Sequence, residues 1–462
     1  MTYDYDVTVI GGGPGGYVAG ILAARQGKKT CLIEKERLGG TCLNRGCIPT
    51  KVFVKAAEDL SALRNAEAVG IVGVQKNAVA IDMQRLQKRK QGVTQQLVGG
   101  VQGLLKAAGA KVIEGTATLK DAHTVVLADG KEITSEYFII ATGSETLYPK
   151  SIPCEGDEVL TSTELLNLDV VPGSIAILGG GVIGIEFAYA LSQFGSKVSV
   201  LEMAQEILPM VDAEIAGKAR KSLEKGSVRF YMGAKVLSVK NGQVTYEMEG
   251  KEQTLQSDYV LMSLGRRPST EGFGAREVGL EYSGAAIACD ESLKSSIDNI
   301  YVVGDANGKA MLAHTAFKEA EIAVANICGG QRTMRYDCIP SCIYMKPEIA
   351  SVGLTEAQAR ERCGDDVKIG RFPLYANGKS LIDGGTDGMM KVILDSKYGE
   401  ILGVHLFGAH TTEMIAQFAT AMQSELTAEE VLETVFPHPS VSEGLGEAFL
   451  SAWKGSAIHN VG

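Results

Sequence analysis

Positive charge is in short supply in this chain of 462 residues. Lys and Arg number 45 against 55 Asp and Glu, a formal net charge of -10. That balance excludes nucleic acid and anionic membrane surfaces as natural partners and tolerates a basic protein partner. A long unbroken apolar run is also missing. Val7 to Ala24 is almost uncharged, but six glycines and Pro14 interrupt it. It therefore reads as strand, turn and helix, not as a membrane span. The polar, acidic start from Met1 to Asp6 is read as carrying no signal peptide. Cysteine occurs nine times, and only Cys42 with Cys47 and Cys338 with Cys342 lie close together. An odd, scattered set excludes a secreted disulfide framework, so the expected setting is a reducing cytoplasm. The rest is ordinary: 45% hydrophobic and 22% charged residues, enough for full cores in about three domains.

What is present is one pattern, twice. Val7-Thr8-Val9-Ile10 runs into Gly11-Gly12-Gly13-Pro14-Gly15-Gly16, then a helix of small residues, then the strand Thr30 to Ile33 ending on Glu34. Ile175 to Leu178 runs into Gly179, Gly181 and Gly184, and a later strand ends on Glu202. The acid follows the first glycine by 23 residues in each copy (11 to 34, and 179 to 202). The first glycine permits a tight turn, the second admits a pyrophosphate to the backbone, and the third packs helix on strand. The helix N-terminus faces the anion and the acid takes ribose hydroxyls. Two such units imply two dinucleotides and an electron pair passing between them. Glu202 would repel a 2′-phosphate, and Met203-Ala204-Gln205 offers no arginine clamp, so NAD is favoured over NADP.

Further buried strands close the units: Tyr137 to Ile140 before Ala141-Thr142-Gly143, Tyr259 to Met262 before Ser263-Leu264-Gly265, and Ile300 to Val303 before Gly304-Asp305. Asp305 reads as a strand-end cap or as a ligand for the hydroxyls of a bound group. After residue 336 shorter alternating strands, such as Lys391 to Leu394, and two helices suggest a separate α+β domain.

Gly39-Gly40-Thr41-Cys42-Leu43-Asn44-Arg45-Gly46-Cys47-Ile48-Pro49-Thr50-Lys51 follows the first acid. Glycines allow the turns that would bring two sulfurs together. Pro49 suits the first turn of a helix, which puts Cys47 at a helix N-terminus, where a thiolate is stabilised. Cys42 lies further out, towards substrate. The plainer alternative is two small buried hydrophobes; zinc would need more ligands than stand nearby. Cys338 and Cys342 lack flanking glycines and read as core thiols.

GGTCLNRGCIPTK resembles the redox-active disulfide motif of the class I pyridine nucleotide–disulfide oxidoreductases, and most closely that of their dihydrolipoamide dehydrogenase branch. The likeness covers nearly the whole chain. It includes Leu312-Ala313-His314-Thr315-Ala316, Pro347 to Gly353, Ala376-Asn377-Gly378 and His438-Pro439. It implies an α/β fold with two Rossmann-like domains, FAD-binding over 1–145 and NAD-binding over 146–270. A central segment over 271–336 would complete the FAD site, and a C-terminal α+β dimerisation domain would cover 337–462. FAD would be held by Gly11, Gly13, Gly16, Glu34, Lys51, Gly115, Thr142, Gly143, Asp305 and Ala313. NAD would be held by Gly179, Gly181, Ile183, Gly184, Glu202 and Gly265. Cys42 would exchange with substrate, Cys47 would face the flavin, and Lys51 would pair with Glu186, an acid inside an apolar helix that needs a partner.

The same resemblance makes His438 the base and Glu443 its orienting acid. From the residues alone, Pro437 and Pro439 hold His438 in a restricted loop. Ser440 to Glu443 reads equally well as a capping box. The resemblance further implies a homodimer whose sites combine Cys42 of one chain with His438 of the other. It also implies a lipoyl-bearing partner, either a 2-oxoacid dehydrogenase acyltransferase or a glycine-cleavage carrier. The competing readings are an NAD(P)H-driven reductase of another disulfide or small acceptor, and a scaffold subunit.

Overall fold

The computed structural model describes residues 2–460. Three sheets organise it. In the first, Tyr5–Ile10 lies between Thr30–Glu34 and Glu132–Ile140, all parallel, with Val7 opposite both Thr30 and Tyr137. Lys111–Glu114 extends one side, and Ile300–Val302 returns from far along the chain to pair with Glu132–Ile140. The second sheet repeats the plan. Ser174–Leu178 lies between Lys197–Glu202 and Tyr259–Met262, with Arg229–Met232 and Val159–Leu160 outside, again all parallel. Parallel strands covered by helices on both faces are apolar on both faces, and Val7 to Ile10 and Ile175 to Leu178 are buried throughout. In each unit the central strand separates the next strand in sequence from a much later one. That is the switch point where α/β sheets bind ligands.

The third sheet is antiparallel, in the order Ser341–Ile343, Glu348–Gly353, Ile401–Gly408, Met389–Asp395, Val367–Pro373. Here the sequence reading needs two corrections. The helices number five among the described residues, not two, because Glu356–Cys363, Gly378–Asp383 and Ala428–Leu432 are too short to show a period. Met389–Asp395 does not alternate between inside and outside; all but its last residue are buried. Lys391 looks like an outward polar residue but is neutralised inside by acids from another part of the chain. The helices Thr411–Gln423 and Glu443–Lys454 close the core of this part, with Phe418 and Phe449 stacked at 5.4 Å.

The first two sheets are linked by a ribbon in which Ser144–Thr146 pairs antiparallel with Arg266–Pro268. The helix Cys47–Arg64 packs on Val182–Phe194, the helix of the second glycine turn. These two contacts bring both glycine turns to one cavity.

Candidate active site

That cavity measures about 2010 Å³, beyond the ~300–1,000 Å³ of a site for one small ligand. It is lined by both glycine turns, both cysteines, Lys51, Glu186 and Asp305. The turns show why glycine is required. Gly11 sits at φ +104, and a Cβ there would lie 2.3 Å from the Ala141 carbonyl oxygen. A Cβ on Gly16 would lie 1.8 Å from the Gly11 oxygen. Gly179 and Gly184 repeat this at 2.7 Å from Ser263 and 2.3 Å from Gly179. The middle glycines differ: around Gly181 a Cβ would meet nothing within 4 Å, and at Gly13 only Gly40 at 4.0 Å. No protein atom explains the missing side chain there, whereas a bound pyrophosphate would.

Each closing acid is held by its own turn. Glu34 accepts from the Gly12 and Glu36 N–H groups at 2.6 and 2.7 Å, and Glu202 from Gly180 and Ala204 at 2.6 and 2.7 Å. Thr142 Oγ1, at the end of the strand Glu132–Ile140, is buried without a hydrogen-bond partner. An orphaned hydroxyl on a cavity wall fits a polar ligand. Gly115, Gly143 and Ala313 line the first half of the cavity, and Ile183 and Gly265 the second. The first half thus suits FAD and the second NAD.

Cys42 ends up on the short helix Gly40–Arg45, and Cys47 opens the helix Cys47–Arg64. The two sulfurs are not bonded to one another. A hydrogen bond from the Cys42 thiol, then the nearby Lys51 ammonium, lowers the Cys47 pKa, while the Cys42 thiol is pushed up. Both shifts favour the charge on the inner sulfur. Lys51 Nζ lies 2.8 Å from both oxygens of Glu186, which is 3% exposed. Glu186 also accepts from the Tyr344 N–H at 3.0 Å, and the Tyr344 ring lies 4.5 Å from Lys51 Nζ. Removing Lys51 would leave the buried Glu186 carboxylate without its counter-charge.

His438 and Glu443 are not in the cavity of their own chain. His438 Nδ1 lies 2.7 Å from Glu443 Oε1 on an exposed surface, and Glu443 Oε2 accepts from the Ser440 N–H at 2.8 Å. Glu443 thus contacts the imidazole through one oxygen and the Ser440 backbone through the other. The capping box is only half formed, since Ser440 Oγ has no partner and Ser442 makes no side-chain cap. Burial raises the Glu443 pKa, but the Ser440 N–H and His438 outweigh it and leave the carboxyl below its usual range. With Nδ1 engaged, Nε2 is the free nitrogen.

Asp305 lines the cavity and accepts a short hydrogen bond from Ser144 Oγ, which also receives Arg266 Nε at 2.8 Å. The sequence reading missed Ser144 and Arg266. It also missed Glu319, fully buried, which fixes the turn before Asp305 by accepting from the Gly304 N–H at 2.6 Å, from Asn307 at 2.9 Å and from Tyr336 at 2.7 Å. The signal was available: Glu319 is an acid inside an apolar helix, the same feature that singled out Glu186. His314 is exposed, with Nε2 2.8 Å from the Pro340 carbonyl. Cys338 and Cys342 turn to separate partners, Gln423 and the Thr412 carbonyl.

Residues 5–320 match the model of the pyridine nucleotide-disulphide oxidoreductase family, and residues 339–449 match that of its dimerisation domain. The chain belongs to the pyridine nucleotide-disulphide oxidoreductases. Among the relatives of this oxidoreductase, a dihydrolipoyl dehydrogenase of Bacillus subtilis is 40% identical over 99% of the chain and all of that protein. One of Rhizobium etli is 38% identical over 98% of the chain and 99% of that protein. Of solved structures, the flavoprotein disulfide reductase RclA from Escherichia coli matches with a TM-score of 0.85. It is 31% identical, over 96% of this chain and 99% of that one. LpdA from Mycobacterium tuberculosis matches with a TM-score of 0.87 at 26% identity, over 96% of this chain and 99% of that one. Among the described residues, no helix is long and apolar enough to cross a membrane, and no cluster of His, Cys, Asp and Glu could hold a metal ion.

Proposed function

We propose that this oxidoreductase is a dihydrolipoyl dehydrogenase that works as a homodimer in the cytoplasm. It oxidises a protein-borne dihydrolipoyl group to the disulfide and reduces NAD to NADH. The observation that carries this reading is the juxtaposition, in one cavity, of the Cys42–Cys47 dithiol with two dinucleotide cradles whose middle glycines leave room for a ligand.

FAD, held by the Gly11–Gly16 cradle, would supply two-electron chemistry linking the dithiol to NAD. The protein's own groups do the rest. Cys42 exchanges with the substrate sulfur, so one protein–substrate disulfide forms as the Cys42–Cys47 bond breaks. The second substrate sulfur then releases itself as the cyclic disulfide and leaves the protein as Cys42 thiol and Cys47 thiolate. Lys51 holds that thiolate, and Glu186 holds Lys51. His438 of the second subunit removes the substrate proton through Nε2, while Glu443 keeps the imidazole oriented. Glu202 selects NAD through the ribose 2′-hydroxyl. The partner is a lipoyl-bearing protein, of a 2-oxoacid dehydrogenase complex or of glycine cleavage.

The deciding experiment is steady-state turnover of the purified FAD-loaded protein with dihydrolipoamide and NAD. The same assay is run with NADP, and in reverse with glutathione disulfide as acceptor. The reading expects dihydrolipoamide with NAD to win by orders of magnitude. A preference for NADPH with another disulfide would replace it.

A further inference from the structure

Behind the second cradle lies a charged cluster that the reaction does not use. Lys391 stands in the middle of the strand Met389–Asp395, 2% exposed. Its Nζ is 2.8 Å from Asp212, 2.8 Å from Glu356 and 3.2 Å from Glu214. Arg371, on the next strand, is 2.7 Å from both Glu214 and Glu356. Burying Lys391 and Asp212 carries a desolvation penalty that an apolar residue at 391 would avoid. The cluster joins two parts of the molecule. Lys391, Arg371 and Glu356 belong to the third sheet and its helices, whereas Asp212 and Glu214 begin the helix Ala213–Lys225 beside the second sheet.

From there the chain leads straight to the nucleotide cradle. Asp212 caps its helix: Oδ1 accepts from the Glu214 N–H at 3.1 Å and from Lys391, and Oδ2 accepts from the Glu356 N–H at 3.1 Å. The preceding turn is closed by a 2.8 Å hydrogen bond from the Val211 N–H to the Leu208 carbonyl. Leu208 sits at φ 54, a conformation that a branched residue keeps only when held from both sides. One side is Asp212. The other is the glycine turn itself, since the Leu208 N–H donates to the Gly180 carbonyl at 2.9 Å and the Gly180 N–H donates to Glu202 at 2.6 Å. Pro209 and Met210 of this turn face the cavity.

We propose that Lys391 is a positioning residue for the pyridine nucleotide. By holding Asp212, it fixes the Leu208–Val211 turn against Gly180 and sets the edge of the cradle that receives NAD. The proposal rests on the reading that NAD occupies this unit. Lys391 does not line the cavity, so a merely structural role would lower thermal stability and leave NAD affinity unchanged.

The test titrates NAD into FAD-loaded wild-type protein and Lys391→Met, measuring Kd, and follows reduction by dihydrolipoamide separately. In Lys391→Met the NAD Kd and KM should rise about tenfold or more, a loss of about 1.4 kcal/mol of binding. Flavin content and the rate of reduction by dithiol should hold. A yellow, folded Lys391→Met with wild-type NAD affinity overturns the proposal. If that variant does not accumulate, Asp212→Asn decides instead. Asparagine still caps the helix but gives up the charge that Lys391 holds, so the same rise, smaller in size, is expected and an unchanged Kd overturns the proposal. A wild-type protein that binds no NAD sinks the functional reading itself, which separates the two failures.

Discussion

The two glycine turns share a cradle and differ in their surroundings. The first glycines sit at φ +104 and +101, and in each turn the second residue's N–H meets the closing acid at 2.6 Å. Around the first turn the chain crowds in. A Cβ on Gly40 would come 2.7 Å from the Gly13 Cα, because the helix bearing Cys42 begins against this turn. Around the second, Gly181 faces open space, and Met203 and Met210 are 70% and 85% exposed at the cavity mouth. One anion-binding turn can thus serve a resident group that the chain encloses or an exchanging group that arrives from solvent. What decides is the covering, not the turn.

The strongest way to break this comparison is to fill the third glycine of each turn. Gly16→Ala would drive a Cβ to 1.8 Å from a backbone oxygen, and Gly184→Ala to 2.3 Å. Overpacking against backbone costs about 1–3 kcal/mol or more. Gly16→Ala should give colourless, unstable protein, whereas Gly184→Ala should stay yellow and lose NAD-linked turnover. Flavin absorbance per chain and NAD-dependent rates check both. Loss of flavin from Gly184→Ala would mean that the two units are assigned the wrong way round.

Next in size are the dithiol, which only the first unit carries, and the His438 base. A Cys47 thiolate against the flavin should give the reduced protein a long-wavelength absorbance, which Cys47→Ser should abolish and Cys42→Ser should display without reductant. Because Cys42 and Lys51 lower the Cys47 pKa, its thiolate exists at lower pH than an ordinary thiol's. The band should therefore persist below the usual range near 8.5 and vanish as falling pH protonates Cys47. A band that titrates in the ordinary thiol range would remove Lys51 and Cys42 from this role. His438→Gln should slow dithiol oxidation by about 10²–10⁴-fold, the scale of general acid–base catalysis. Mixing Cys42→Ser with His438→Gln subunits should restore activity to heterodimers. No recovery after verified exchange would place both residues in one chain's site.

How much of this was legible beforehand follows from distance along the chain. The glycine turns, the acids and the dithiol are local motifs whose spacing states their geometry. The Lys51–Glu186 pair spans 135 residues; the resemblance named it, and an acid in an apolar helix, which demands a partner, agreed with it. The same rule applied to Glu319 would have found the support of Asp305. Lys391 was hidden for the opposite reason. In a strand a lone lysine reads as an outward residue, and the acids that bury it stand up to 179 residues away. Ser144 and Arg266 carried no pattern at all; their role arises only when two linkers pair as a ribbon.

A smaller effect separates the two acids. Each is held by the same backbone contacts, so truncation should cost each ligand one charge-assisted interaction, worth about 1.5–3 kcal/mol. Glu202→Ala should narrow the preference for NAD over NADP by about tenfold or more on that scale. Glu34→Ala should weaken FAD retention and leave the preference untouched. Specificity constants for both cofactors in both variants check this, and an unchanged ratio in Glu202→Ala removes that residue from cofactor choice.

The smallest effect is a change of sign at one hydroxyl. Thr142 and Leu264 occupy equivalent places, each second after the central unit's closing strand, at Ile140 and Met262. Leu264 is apolar and needs nothing. Thr142 Oγ1 is buried with no partner among the described residues, and a buried unsatisfied group costs about 1–3 kcal/mol. Thr142→Val keeps the shape and removes that cost. In flavin-free protein it should therefore be neutral or stabilising, by up to about 1–3 kcal/mol. In FAD-loaded protein the hydroxyl has a polar neighbour to satisfy, so the same substitution should destabilise, raise the FAD Kd and lower Tm. Thermal unfolding of wild type and Thr142→Val, each with and without FAD, measures all four corners of this cycle. If Thr142→Val shifts both forms equally, the hydroxyl does not face the cofactor. The first unit would then owe its tighter hold on FAD to enclosure alone, with no polar contact that the second unit lacks.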